Sequence, residues 1–156
     1  MKEQPHRSTG KLYLDDLYVG QRFTSGNYVM NLERIKQFAA EFDPQPFHLD
    51  EGAAKQSVFK ELVASGWHTA AVAMRLLVTS GLPLADGLIG FGGEISWPKP
   101  TRPGDTVQVH CEIAEITPSR SKQTQGIVTI RGTMLNQNRE AVYQITAKLL
   151  VFKRPT

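Results

Sequence analysis

At 156 residues, with 40% apolar and 21% charged side chains, the chain is long enough to bury one real core and too apolar to stay disordered. Its net charge of +3 is scattered, with no basic stripe interleaved with aromatics, which excludes nucleic acid from the expected partners. A lone cysteine, Cys111, excludes an internal disulfide framework and a thiolate zinc cluster. The opening Met1–Arg7 lacks the apolar run of a signal peptide, and the longest apolar stretch, Ala70 to Val78, is interrupted by Arg75 and too short to span a bilayer. A cytoplasmic protein without a membrane partner is expected.

In chain order, residues 1–12 read as a flexible N-terminal arm and 13–153 as a single domain. Arg22 to Met30 predicts a first strand. Asn31 is placed to cap a helix, with Glu33 favourable in its first turn, and Leu32, Ile35, Phe38, Ala39 and Phe42 share one helical face. Asp50 to Lys55 predicts a short helical turn. After Ala64-Ser65-Gly66, Trp67 to Thr79 is apolar nearly all round, the pattern of a helix buried at the centre of a domain. Strands are predicted at Leu88 to Trp97 (with a bulge at Gly90, Gly92 and Gly93), Thr106 to Ile116, Gln125 to Leu135 and Ala141 to Phe152. Sequential strands with short connections imply an antiparallel sheet, and one apolar helix against one curved sheet buries both surfaces. The fold class is therefore α+β.

The usable chemistry concentrates in Glu41-Phe42-Asp43-Pro44-Gln45-Pro46-Phe47-His48-Leu49-Asp50. On a helix, a five-residue spacing sets Asp43 and His48 about 140° apart; on a strand it sets them on opposite faces. They converge only where the backbone bends, and the prolines disfavour the α region at Asp43 and Gln45, predicting a bent loop. Taken singly, Asp43 is more often a helix-ending residue and His48 a structural histidine. Together in a proline-bracketed loop ahead of a glycine-led apolar helix, they read as a functional pair. His68 reads as a packing or dimer-contact residue, Cys111 as an inert core thiol and Asp105 as the shaper of a turn. No metal-ligand spacing is present.

Three segments carry a resemblance: the Asp43…His48 loop, Val63-Ala64-Ser65-Gly66, and Trp97-x-x-Pro100…Pro103-Gly104-Asp105-Thr106-Val107. Over about residues 18 to 153 the chain resembles the MaoC-like dehydratases, relatives of the (R)-specific enoyl-CoA hydratases with the hotdog fold. Their loop usually reads Asp-x-Asn-Pro-x-His. Asp43, Pro46 and His48 occupy the matching positions, with Gln45 in place of asparagine, and Ser65 stands where many members have histidine. The resemblance implies reversible hydration of a 2-enoyl-CoA, or dehydration of a 3-hydroxyacyl-CoA. Asp43 and His48 would be the catalytic pair, and the Gly66 backbone N–H would bind the thioester oxygen. It implies no cofactor beyond the coenzyme A of the substrate, and a homodimer or dimer of dimers. Two other readings are a hotdog thioesterase, for which the start of the Trp67 helix offers no acid, and a non-catalytic acyl-thioester binding protein. Lys99, Arg102 and Lys122 are candidates by charge for the nucleotide end of coenzyme A.

Overall fold

The computed structural model describes residues 11–156, so the expected N-terminal arm falls almost wholly outside the described residues. Its last residue, Leu12, is held by parallel bonds to the segment after the central helix: Leu12 N–H donates to Pro83 O and Ala85 N–H to Leu12 O, each at 2.8 Å. Strand β1 (Arg22–Val29) leads into helix α1 (Leu32–Phe42), capped by the Asn31 side chain, which accepts from the Arg34 N–H. Two short helices follow, α2 (Pro46–Leu49) and α3 (Glu51–Lys55), then the central helix α4 (Gly66–Leu76). Strands β2 (Ile89–Ser96), β3 (Thr106–Pro118), β4 (Gln125–Leu135) and β5 (Ala141–Phe152) complete the domain.

All pairings in the five-stranded sheet are antiparallel, in the order β1-β3-β4-β5-β2. Sequential neighbours account only for β3-β4-β5. The first two strands close the two edges, β1 followed by helices α1 to α4 and β2 by the connection 97–105 that crosses to β3. Period-two alternation in β3 and β4 turns Val107, Val109, Cys111, Ile113, Val128, Ile130 and Met134 towards α4, where they meet Val72, Ala73, Leu76 and Leu77. Cys111 lies in this core, and burial, with the Glu112 charge beside it, pushes its thiol up to about 12. The β2–β5 register slips between Gly90 and Gly92, the expected bulge. At Gly93 a side chain is impossible, because a Cβ would lie 2.3 Å from the Thr146 carbonyl of β5.

The central helix does not simply stop near Thr79. Leu77–Gly81 forms a π-helical turn, closed by Leu82 N–H to Leu77 O at 2.7 Å. Two hydroxyls explain the widening. Thr79 donates to Arg75 O and Ser80 to Leu76 O, competing for the carbonyls of the α ladder. Nor is α4 buried on every side. Trp67, Met74 and Val78 are exposed along one stripe, and every residue of β2 is exposed, with Phe91 and Ile95 among them. The apolar character of the helix thus serves two surfaces, one against its own sheet and one facing outwards. No helix among the described residues is long and apolar enough to cross a membrane.

Candidate active site

Helix α1 delivers Asp43 as its C-terminal cap: the Asp43 N–H donates to Ala39 O at 2.9 Å, and the backbone leaves helical geometry at φ −152°, ψ 66°. The Gln45 N–H then bonds back to Asp43 O at 2.7 Å, reversing the chain. Here the expectation of a plain loop needs correction. Pro46 does not prolong an extended segment. It starts the single turn α2, at the helix end where a missing N–H costs nothing, and His48 sits inside that turn. The first proline ends one helix and the second begins another, and the bend between them brings the pair together.

His48 Nε2 lies 3.2 Å from Asp43 Oδ2, with the side chains 6% and 16% exposed. His48 Nδ1 lies 2.7 Å from the Val63 carbonyl, which can only accept, so Nδ1 carries a hydrogen and Nε2 is the atom at which a proton can come and go. Phe47 packs edge-on against the imidazole at 4.6 Å and is backed by Phe59 at 5.2 Å. The other flanking phenylalanine, Phe42, is largely exposed and packs on Phe38.

Both oxygens of Asp43 are held. Ser65 Oγ donates to Oδ2 and Gln45 Nε2 to Oδ1, each at 2.6 Å. Burial pushes this carboxyl up, but the bonds from Ser65 and Gln45, with the charge and contact of His48, outweigh it and hold Asp43 below its ordinary value. Gln45, which departs from the usual asparagine, therefore still supplies an amide to the site. Ser65, noted in the sequence only as standing in place of a histidine, turns out to hold this candidate site together. Buried completely, its hydroxyl caps α4 by accepting the Trp67 N–H at 3.2 Å while giving its proton to Asp43. A serine directly before a glycine-led apolar helix is a capping signal; its reach to a carboxylate 22 residues away is not written in local pattern.

Ser65→Ala removes both bonds at once. Loss of the cap is expected to cost about 1 kcal/mol of stability, and the Asp43 carboxyl should rise towards its ordinary value. A depressed carboxyl stabilises the fold above its unfolded pKa, and that stability is lost as pH falls through the folded value. The variant should lose less stability on acidification than the parent, and the acid limb of any Asp43-dependent activity should move to higher pH. Thermal melts from pH 7 down to pH 3 check the first expectation.

Gly66 is the first residue of α4, and among the described residues nothing accepts its N–H. The Trp97 indole lies over it and donates through Nε1 to Gly66 O at 2.8 Å. A Cβ at Gly66 would meet the ring at 2.8–3.2 Å. Two residues on, His68 is buried and stacks on Phe38 at 4.8 Å; Nδ1 has no partner among the described residues, and desolvation lowers its pKa, favouring the neutral ring. Of the charge candidates, Lys99 pairs with Glu140 and Arg102 with Glu61. Asp105 does shape its turn, accepting from the Arg102 N–H and from Gln137 Nε2. Among the described residues no cluster of three or more His, Cys, Asp or Glu could hold a metal ion.

A single α+β domain of this kind, an antiparallel sheet wrapped around one long helix, is a hotdog domain. Residues 19–134 match the family described as MaoC like domain, and the chain belongs to that family. A solved MaoC-like dehydratase from Rhodospirillum rubrum is 58% identical, with a TM-score of 0.92 over 93% of this chain and 99% of that one. An uncharacterized Bacillus subtilis protein, YdeM, is 30% identical over 88% of this chain and 97% of its own. The 3-hydroxybutyryl-CoA dehydratase of Methylorubrum extorquens is 27% identical over 88% of this chain and 86% of its own. The family and the two relatives named as dehydratases support a hydratase or dehydratase.

Proposed function

We propose that the protein catalyses reversible hydration of a 2-enoyl-CoA, equivalently dehydration of a 3-hydroxyacyl-CoA, with no cofactor beyond the coenzyme A of the substrate. The observation that carries this reading is the dyad. A histidine whose Nδ1 is tied to a carbonyl presents Nε2 beside a carboxylate held charged by two other donors. In the hydration direction, one water is held by Asp43 and His48 together, against the exposed side of the pair. Its proton passes to His48 Nε2 while its oxygen forms the bond to C3. The double-bond electrons move onto the thioester oxygen, and His48 then returns the proton to C2 on the same face. Asp43, negative throughout, orients the water and stabilises the transient imidazolium. The Gly66 N–H, with the positive end of α4 behind it, takes the developing oxyanion.

Two further features belong to this reading. The exposed stripe on α4 and the exposed edge strand β2, with Trp97 between them, suit a second copy of the chain, giving a homodimer or dimer of dimers. The protein works in the cytoplasm on a small-molecule thioester. One experiment tests the assignment: a panel of 2-enoyl-CoA substrates followed by loss of enoyl absorbance, with product configuration determined and mass measured by light scattering. Hydration to a single 3-hydroxyacyl stereoisomer by a dimer or tetramer is expected. Release of free thiol in its place would make the protein a thioesterase, and saturable binding with no turnover would make it a binding protein.

A further inference from the structure

The peptide joining Ser65 to Gly66 presents its N–H at the start of α4, while its carbonyl points into the fold. Ser65 O accepts the Thr69 N–H at 3.0 Å, as a first helical turn requires, and also lies 3.3 Å from Thr69 Oγ1. Thr69 Oγ1 in turn lies 3.0 Å from Thr101 Oγ1. All three residues are buried, at 0%, 1% and 2% exposure. Among the described residues the Thr101 hydroxyl proton has one acceptor, Thr69 Oγ1, whereas the Thr69 proton can reach either Ser65 O or Thr101 Oγ1. One arrangement satisfies both: Thr101 donates to Thr69, and Thr69 donates to Ser65 O. Thr101 is fixed from a second side, because its own carbonyl accepts the Ala64 N–H at 2.8 Å.

We infer that Thr69 and Thr101 form a buried hydroxyl relay that strengthens the Gly66 N–H as a donor to the thioester oxygen, making both threonines positioning residues for the proposed hydration. A carbonyl that accepts two hydrogen bonds draws electron density from its own amide nitrogen, and bonds arranged head to tail strengthen one another by roughly 10–30% each. Helical threonines commonly bond back to the carbonyl four residues earlier. Here that carbonyl belongs to the peptide whose N–H is left free at the helix start, and the hydroxyl reaching it is fed from a residue 32 positions further along the chain.

The inference rests on Gly66 being the oxyanion donor, and the test separates the two. Butyryl-CoA labelled with carbon-13 at the thioester carbonyl has no double bond to hydrate, so its carbonyl stretch can be followed by infrared difference spectroscopy in the bound state. Binding to the parent protein is expected to lower the stretching frequency. In Thr69→Val part of that displacement should be lost, with kcat on crotonyl-CoA down about twofold to fourfold, the scale of a 10–30% change in an oxyanion donor that contributes roughly a hundredfold, and KM unchanged. Thr69→Ser should restore both readouts. Thr101→Val should show a smaller loss of the same kind, and carries the test if Thr69→Val does not fold. The double valine variant should be no worse than Thr69→Val, since Thr101 acts only through Thr69. A parental carbonyl frequency in both valine variants overturns the relay and leaves the Gly66 assignment standing, as does a Thr69→Ser variant as impaired as Thr69→Val. A frequency that binding to the parent leaves unmoved overturns both.

Discussion

His48→Gln and Asp43→Asn are each expected to lower kcat on an enoyl-CoA substrate by about 10²–10⁴-fold, the range for losing a positioned general acid–base group. The folded protein should tolerate both. In Asp43→Asn one acceptor oxygen becomes an NH₂. The new side chain can keep its oxygen towards the Ser65 hydroxyl and turn its NH₂ to Gln45, whose own amide flips to present Oε1. The site keeps its shape and loses the charge that, in the proposed mechanism, orients the water and stabilises the imidazolium. Glutamine at His48 can still donate an N–H to the Val63 carbonyl, but it cannot exchange a proton in the working pH range. Because the two groups act on one water, their effects should not add: the double variant should be about as slow as the worse single one. Steady-state kinetics beside thermal melts check this. A double variant slower by the product of the two single losses would mean that the residues serve separate steps.

The parts of this site that the sequence announces are those encoded by neighbours. A proline five residues beyond Ala39 ends α1, Asn31 opens it, and alternation marks β3 to β5. Even the bend joining Asp43 to His48 follows from two prolines, though what the second one does, starting a turn of helix, depends on Val63, whose N–H donates to Phe47 O and whose carbonyl accepts from His48 Nδ1. The parts that escape are contacts between distant segments. Ser65 on Asp43, Trp97 on Gly66 and Thr101 on Thr69 span 22, 31 and 32 residues. Periodicity places each partner on an element and a face, but distance along the chain hides which faces meet. The outward stripe of α4 escaped for a different reason. An all-round apolar helix and a helix with two apolar interfaces have the same pattern, and only the sheet's position tells them apart.

Gly66→Ala is expected to lower kcat by about 10²-fold, on the scale of losing one oxyanion donor, although the new residue keeps its N–H. The reason is steric and lies in one neighbour. All three atoms that an added Cβ would approach most closely, at 2.8, 3.0 and 3.2 Å, belong to the Trp97 ring. The ring cannot yield freely, being tied to Gly66 O through Nε1 and packed against Trp67 at 5.3 Å. Either the indole moves and abandons that bond, or the first turn of α4 moves. Ser65, its cap, then drags on Asp43 and displaces donor and dyad together. The stability cost of such overpacking is about 1–3 kcal/mol, read from thermal or denaturant unfolding. The cause predicts its own remedy. Combining Gly66→Ala with Trp97→Leu makes room for the methyl group, so the stability losses of the two substitutions should be clearly less than additive, with a coupling of about 1 kcal/mol or more. If the losses simply add, the glycine is required for something other than the space beneath the indole.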